Sequence, residues 1–342
     1  MPTISFKPKK ITKKLTSHLQ DRTSDVIMSR FGLTSDARQK TLEEIGKKYN
    51  ITRERVRQIE EAAINLIKKS EAYKTEQAVF DELKQLIHSL GSIVAEHELL
   101  AHVSKDKETQ NHINFYLVLS DAFKRHREDD HFHTRWSVDD EIAEKVHDSL
   151  KKLYASLSDE DLISESEMIK KFFDHMKDVS DQYRNDEIAK RWLAMSKTIS
   201  KNPLGEWGKS SSPNVRTRGV KDYAFLVMRR HGSPMHFREV ANAISKTFNK
   251  KIHYATCHNE LIKDPRFVLV GRGLYALAEW GYKTGIAREV IRDILKKEGP
   301  LSKEAVVEKV MKERYLKKNT ILVNLLNSKY FKKNKNGLYF AA

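Results

Sequence analysis

The chain has 342 residues, a formal net charge of +16 and an isoelectric point near 9.6. Its length predicts two or three domains of ordinary size, or a larger number of small ones. The single cysteine, Cys257, excludes an intramolecular disulfide and is typical of a reducing cytoplasm. No apolar run approaches the roughly 20 residues of a membrane span, and we expect no secretory signal in the basic N-terminus. Membrane-spanning and disulfide-stabilised secreted classes are therefore excluded.

The charge is distributed unevenly along the chain. Residues 1–74 carry 17 Lys and Arg against 9 Asp and Glu, a net charge of +8. Residues 75–190 carry 15 against 26, which gives −11, and residues 191–342 carry 31 against 12, which gives +19. Because nucleic-acid binding depends on local positive potential, both ends of the chain are candidates for contact with DNA and the acidic middle is a poor one.

The first residues of the chain are rich in lysine. Residues 1–14 contain five lysines and no acidic residue, and this composition predicts a flexible basic arm. Such an arm would either follow a DNA backbone or serve as a solubilising tail, and the residues leave both open.

Residues 41–60 carry the strongest local pattern, that of a helix-turn-helix. Thr41 and Glu44 have the spacing of a capping box, and Asn50 is typical of the left-handed residue that ends a helix. Thr52 is placed to cap a second helix, along which Val56, Ile59 and Ala63 recur at helical spacing as an inner face. The outer face would then carry the following charged and polar side chains: Arg53, Glu54, Arg55, Arg57 and Gln58.

This stretch resembles region 4 of the primary sigma factors of bacterial RNA polymerase, and the resemblance runs from Leu15 to Lys69. It implies double-stranded DNA as a partner, with Arg53, Glu54 and Gln58 as the side chains that contact bases. It implies phosphate contacts or flanking positions for Thr52, Arg55 and Arg57, and we add Lys68 and Lys69 to the phosphate-contacting set because of their charge. A charged surface helix with no ligand is the alternative interpretation.

The same resemblance implies a second partner, the β flap of the RNA polymerase core. Val26, Ile27 and Phe31 lie in the part of the family that would dock there, although ordinary core positions are an equally open interpretation for them. No aromatic-rich segment similar to the promoter-melting region of the family precedes residue 15. We therefore expect that the chain is not a complete sigma factor.

The last two predicted modules have the element order of winged helices. In the C-terminal module, residues 283–342, three helical segments are followed by apolar stretches around Asn336-Gly337, a hairpin turn. The module before it, residues 222–282, has the same order. Its segments 234–240 and 267–281 resemble the HARE-type winged helix, which occurs in the δ subunit of bacterial RNA polymerase and in chromatin and restriction-associated proteins. We expect Arg266 and Arg272 to contact phosphates.

The remaining parts are two weaker repeats and a connection. The sequence predicts two divergent, acidic winged-helix-like modules, over residues 75–140 and 141–200. Together with the modules at the basic ends, they suggest an array of related units. Residues 201–221 are rich in Pro, Gly and Ser and contain more basic than acidic residues, which predicts a basic linker. We assign residues 15–74 to the sigma-like module.

Candidate chemistry is sparse. His126, His131 and His133 lie beside three acidic residues, but no cysteine pair accompanies them, and a wing loop is the better interpretation. We find no Walker sequence, serine elbow or paired catalytic carboxylates, and we therefore predict no enzyme activity, no cofactor and no metal site.

The fold class predicted is mainly α, with tandem helix-turn-helix and winged-helix modules that carry small β-hairpin wings. The function predicted is sequence-specific binding to promoter-like DNA in the cytoplasm, in association with the nucleoid, together with RNA polymerase. The alternatives are a δ-like accessory subunit of the polymerase, a nucleoid-type DNA binder, and, last, a restriction-associated enzyme. The oligomeric state stays open.

Overall fold

The computed structural model describes residues 4–176, 181–282, 287–313 and 318–342. Within these ranges the chain is mainly helical, with 17 α-helices and ten short antiparallel strands. This confirms the predicted fold class. The chain divides into two compact units, the first comprising Met1–Lys201 with Gly205–Ser211 and the second Asn202–Leu204 with Ser212–Ala342.

The first unit begins with five helices that include the sigma-like region. They are α1 (Pro8–Thr16), α2 (Asp21–Phe31), α3 (Leu42–Tyr49), α4 (Arg53–Lys69) and α5 (Glu71–Thr75). The predicted flexible arm is wrong from Pro8 onwards, because α1 packs against the unit and buries Ile11 and Leu15. These two residues lie four positions apart and form one apolar face of the helix, which the lysine count had obscured.

The local signals of the helix-turn-helix are confirmed. Thr41 and Glu44 form the reciprocal capping box of α3, and Asn50 ends that helix with a φ of 53° in the left-handed region. The Thr52 side chain accepts from the Arg55 backbone N–H at the start of α4. Gly46 allows the turn to close, because a Cβ atom there would lie 2.6 Å from the Ile51 carbonyl oxygen.

The sigma-like helices are followed by a first set of elements in the order of a winged helix. Its elements are α6 (Gln77–Ser89), β1 (Ile93–Ala95), α7 (Glu96–Val103), α8 (Lys107–Leu119), β2 (Lys124–His126) and β3 (Arg135–Ser137). The three strands form an antiparallel sheet in the order β1-β3-β2. One hydrophobic core joins this region to the sigma-like helices, since Ile27, Phe31 and Ile67 belong to the same buried cluster as Phe80 and Phe115.

A second copy of the order closes the first unit. Its elements are α9 (Asp140–Ser156), α10 (Glu165–Asp174), a 3-10 turn (Asp181–Tyr183), α11 (Asp186–Ala194), β4 (Ile199–Lys201) and β5 (Trp207–Lys209). The predicted linker over residues 201–221 is wrong at its start, because β4 pairs with β5 as a hairpin and Trp207 is buried. A bridge between Ile163 and Trp207 supplies the remaining strand position of the wing.

The second unit contains two further copies. The first has α12 (Val220–His231), β6 (Met235–His236), α13 (Phe237–Phe248), α14 (Tyr254–Lys263), β7 (Phe267–Gly271), β8 (Leu274–Leu277) and a 3-10 turn (Ala278–Trp280). The second has α15 (Ala287–Glu298), α16 (Lys303–Glu313), α17 (Lys318–Leu325), β9 (Phe331–Lys333) and β10 (Tyr339–Ala341). Sheet order β6-β8-β7 matches that of the first winged helix. The predicted start of the C-terminal module, residue 283, lies outside the described residues.

Candidate nucleic-acid interface

The N-terminal half of α4 has an apolar back and a charged front. Val56 is fully buried in a small cluster with Val26 and Ile45. The predicted DNA-contacting side chains on the front are all exposed: Arg53, Glu54, Arg55, Arg57 and Gln58. Helical spacing puts the apolar residues on one side, so the charged residues form a continuous outer face that a DNA groove can approach.

Charges on this face are paired with one another. The Arg57 guanidinium donates to the Glu54 carboxylate at 2.6 Å and to Glu61 one turn further on. The Arg55 guanidinium donates to the Gln58 side-chain carbonyl at 3.0 Å. Arg57 holds the pKa of the Glu54 carboxyl below its usual range, so Glu54 stays ionised. Sequence analysis missed Glu61, although its i,i+4 spacing from Arg57 is a signal for such a pair.

Arg53 differs from its neighbours on the face. No hydrogen bond or ion pair of its guanidinium is found within the described ranges. Thr52, also exposed, uses its hydroxyl as the cap of α4. The first turn of the helix therefore offers an uncommitted guanidinium beside backbone N–H groups that favour negative charge.

The two lysines at the end of α4 have different surroundings. Lys68 donates to the Asp121 carboxylate of the first winged helix at 2.5 Å, and its side chain is only 25% exposed. Lys69 is exposed and makes no ion pair with the rest of the described chain. Of the two predicted phosphate-contacting lysines, only Lys69 presents a free ammonium group.

The predicted polymerase-docking residues lie inside the protein. Val26 and Ile27 are fully buried and Phe31 is 7% exposed, with its ring 5.0 Å from that of Phe115. Val26 belongs to the small core behind α3 and α4, and the other two belong to the core shared with the first winged helix. They thus occupy core positions here, the interpretation that the sequence had left open, and present no docking face.

Arg266 corrects another expectation. Its guanidinium donates to Asp264 and to Asp222, each at 2.8 Å, and to the Asn214 side chain at 3.1 Å. These bonds occupy all three nitrogens of a side chain that is 21% exposed, so a phosphate would have to displace a carboxylate. Arg272, by contrast, is exposed at the turn between β7 and β8, where it has no partner in the described part of the chain.

The third helix of the first winged helix, α8, is the feature that sequence analysis did not foresee. It packs against α1, α2 and α4 and buries both apolar and polar residues: Asn111, His112, Ile113, Phe115, Tyr116, Leu117 and Leu119. Its apolar residues surround the helix rather than forming a stripe, which is a sequence signal for burial. A helix enclosed in this way has no surface for a DNA groove.

The histidines considered for metal binding are dispersed. His126 bonds to the Ser137 hydroxyl at 2.9 Å, His131 is exposed, and His133 stacks edge-on against His97. Among the described residues, no group of three or more His, Cys, Asp or Glu side chains is arranged around a shared metal position. Likewise, no helix in the described ranges is both long and apolar enough to cross a membrane.

Comparison with known families accounts for two segments of the chain. Residues 17–69 match the model of sigma-70 region 4. Residues 218–280 match the model of the HARE-HTH domain, a helix-turn-helix domain named in part for ASXL and restriction endonuclease proteins. Both recognised resemblances are confirmed.

Individual relatives match over the sigma-like segment. The RNA polymerase sigma factor RpoD of Helicobacter pylori is 50% identical over 56 residues, which are 16% of this chain and 8% of that protein. The principal sigma factor HrdD of Streptomyces griseus is 46% identical over 55 residues, 16% of each chain. SigA1 of Synechococcus elongatus is 52% identical over 52 residues, 15% of this chain and 13% of the relative. The chain thus spans a small fraction of the sigma factors it matches.

The two matched segments are helix-turn-helix domains of DNA-binding, transcription-related type. Domains of this type are typically non-enzymatic. The exposed face of α4 lies within the first match, and Arg272 lies within the second.

Proposed function

We propose that the chain binds promoter-like double-stranded DNA through the exposed face of α4 and regulates transcription together with RNA polymerase. Its site of action is the cytoplasm, in association with the nucleoid. The observation that carries the proposal is the row of exposed donors and acceptors on α4, backed by the buried Val56 and Ile45.

The chemistry of the row suits sequence discrimination. Arginine donates two parallel hydrogen bonds to guanine, and glutamine pairs in the same way with adenine in the major groove. Arg53 and Gln58 are the base-contacting arginine and glutamine of the proposal, and Glu54 would accept from a cytosine amino group. Arg55, Arg57, Lys69 and Arg272 would neutralise phosphates, with Thr52 at the flank.

The pairing of Arg57 with two carboxylates limits its availability for a phosphate. Its contact with a phosphate would require exchange of the Glu54 or Glu61 pair for the phosphate, whereas Arg53 needs no such exchange. Arg53 is therefore the side chain expected to contribute most to base discrimination.

A selection from a random duplex library, using the purified full chain, tests the proposal. We expect a defined sequence to be enriched, and the Arg53→Ala/Gln58→Ala double variant to lose that sequence while it still retains duplexes at low salt. Lys152→Ala, which removes an exposed charge from the acidic region, is the matched control and should keep the wild-type sequence. Enrichment of no sequence by the wild type would contradict the proposal and favour a nucleoid-type binder.

The acidic charge of residues 75–190 favours a second candidate, a δ-like accessory subunit of the polymerase. A surface with net charge −11 repels DNA and suits protein contact. Because Val26, Ile27 and Phe31 are buried, docking on the β flap would need another surface, or opening of the shared core. Co-purification with polymerase that survives DNase, and that persists in the Arg53→Ala/Gln58→Ala variant, would favour this candidate.

A further inference from the structure

A groove of about 700 Å³ lies in the first unit between α7, α11 and the β4–β5 hairpin. Its polar lining includes Glu98 and His102 on α7, Glu187, Lys190 and Arg191 on α11, and Trp207 on β5. Leu193, Ala194, Ala101 and Ile199 contribute apolar surface. The volume lies within the range typical of small-molecule sites. None of these residues belongs to the proposed DNA-contacting face.

Several polar atoms of this lining are buried without a partner. The Glu98 Oε2, His102 Nε2 and Trp207 Nε1 atoms are shielded from solvent, and each lacks a hydrogen bond to any described residue. Trp207 is the clearest case, because the residue is 4% exposed and an indole N–H can only donate. The other buried indoles behave differently: Trp136 donates to Glu96 at 2.9 Å and Trp192 to the Gly91 carbonyl at 3.1 Å. An unpartnered buried donor is costly, and Trp207 is one of the residues that line the groove.

The charges around the groove select the class of ligand. Lys190 lies 3.1 Å from the Glu165 carboxylate and 3.6 Å from the Glu187 carboxylate, and Lys201 pairs with Glu165, so two carboxylates balance these two ammonium groups. Arg191 makes no hydrogen bond within the described ranges, while Glu98 attracts it electrostatically. One carboxylate and one guanidinium are thus left for a ligand. This balance disfavours polyanions such as nucleotides and suits a molecule with one positive and one negative group.

We propose that the groove binds a free α-amino acid with an apolar side chain. The ammonium group would donate to Glu98, and the carboxylate would accept from Arg191 and, after a small rotation of the indole that exposes it, from the Trp207 N–H. The apolar residues of the groove would cover the side chain. Burial raises the pKa of the Glu98 carboxyl above its usual range, and an ammonium partner would restore the ionised form.

The location gives the site a structural consequence. Glu98 and His102 belong to the first winged helix, and Arg191 and Trp207 belong to the second. A bound zwitterion would therefore bridge these two parts of one compact unit, and it would stabilise the folded state because it binds only there.

The indole N–H of Trp207 supplies a direct measurement on the full chain. We would record ¹H–¹⁵N spectra of the four tryptophan indoles during titration with L-leucine, L-isoleucine, L-valine, L-methionine and L-phenylalanine. The indole signal that is absent from the spectrum of Trp207→Phe is the signal of Trp207. We expect saturable movement of this signal with at least one amino acid, together with a rise in Tm of the protein. The indole signals of Trp136 and Trp192 should move less.

Variants and analogues test the assigned contacts. Glu98→Gln and Arg191→Gln should each raise the Kd roughly 10- to 100-fold, because each removes a charged hydrogen-bond partner. Glu144→Gln, an exposed carboxylate that does not line the groove, is the matched control and should leave the Kd unchanged. For leucine, 4-methylpentanoate and 3-methylbutylamine should each bind far more weakly, since each lacks one charge.

The proposal is overturned if none of the five amino acids at millimolar concentration moves the Trp207 signal or the Tm. It is also overturned if 4-methylpentanoate binds as well as leucine, or if AMP binds the groove more tightly than any amino acid. Should Trp207→Phe fail to fold, the Tm shifts with Glu98→Gln and Arg191→Gln decide the matter by the same criteria. These measurements use no DNA, so their failure is separate from failure of the proposed function.

Discussion

Two helices of the first unit, α4 and α8, occupy comparable positions and have opposite surroundings. Each is the final helix of a helix-turn-helix order, but α4 exposes Arg53 and Gln58 whereas α8 buries Asn111 and Phe115. Three buried polar side chains of α8, those of Asn111, His112 and Tyr116, bond to residues that precede the first winged helix. Asn111 donates to the Gly32 and Ala37 carbonyls at 2.9 and 3.0 Å.

The difference shows that a winged-helix order does not by itself assign DNA contact. In the first winged helix, Tyr116 donates to the Pro8 carbonyl at 2.5 Å and His112 bonds to Thr12 at 2.7 Å, so α8 anchors α1. We interpret α8 as the support on which the helix-turn-helix of α3 and α4 is held.

We expect the largest effect on stability from a cavity in the core around α8. Phe115→Ala removes a fully buried ring from the shared core, which should lower the free energy of unfolding by about 3–5 kcal/mol. Urea denaturation followed by circular dichroism measures the change. Leu66→Ala, on the exposed side of α4, is the control and should cost less than about 0.5 kcal/mol. Equal losses in the two variants would contradict the assigned roles.

A fall in pH should weaken the packing of α8 and leave the structure of the α4 face unchanged. Burial lowers the pKa of His112 below its usual value near 6.5, so the unfolded chain binds a proton more readily than the folded chain. The stability that depends on neutral His112 is therefore present above that usual value and is lost as the pH falls below it. Urea midpoints measured from pH 7.5 to 4.5 should decline less in His112→Gln than in wild type.

The exposed His131 supplies the control for this pH dependence. His131→Gln should follow the wild-type curve, because this exposed side chain lies outside the contacts that α8 makes with α1. A pH dependence that is unchanged in His112→Gln but reduced in His131→Gln would contradict the account.

Truncation on the α4 face should change affinity without changing stability. Arg53→Ala should weaken binding to the selected duplex by about 1–3 kcal/mol and relax preference at one position. Titration of matched and singly altered duplexes by fluorescence anisotropy gives both quantities. If Arg53→Ala weakens every duplex equally, the side chain contacts phosphate and not bases.

The smallest expected effect is a difference in the salt dependence of DNA binding between variants of the two lysines at the end of α4. Lys69→Ala should lower the slope of log affinity against log salt by about one, with no change in sequence preference. Lys68→Ala should change the slope less, because that ammonium is already paired with Asp121. Anisotropy titrations between 50 and 200 mM salt distinguish them, and the reverse order of effects would be incompatible with the observed pairing.

Local signals explain what could be predicted from the sequence. The capping box of Thr41 and Glu44, the left-handed Asn50 and the Thr52 cap each act within a few residues, so their spacing alone is informative. The small core behind α4 follows from the same helical spacing. The strand order of the first winged helix, β1-β3-β2, recurs as β6-β8-β7 in the second unit because both copies have the same succession of elements.

Long-range partners explain what could not be predicted. The charge of Arg266 gave no indication that Asp222, 44 residues away, would hold it. The burial of Phe31 depends on Phe115, and no periodicity within α2 distinguishes a partner helix from a partner protein. The groove likewise depends on Glu98 and Trp207, which lie more than a hundred positions apart in the sequence and meet only in the folded unit.

The central claim, that the α4 face contacts bases, is tested most directly by a base-analogue cycle. Each guanine of the selected duplex is replaced in turn by 7-deazaguanine, which lacks the N7 acceptor, and binding is measured for wild type and Arg53→Ala. The account predicts one position where the analogue weakens wild-type binding but has no further effect on Arg53→Ala, with a coupling of about 1–3 kcal/mol. Additive losses at every guanine would contradict it.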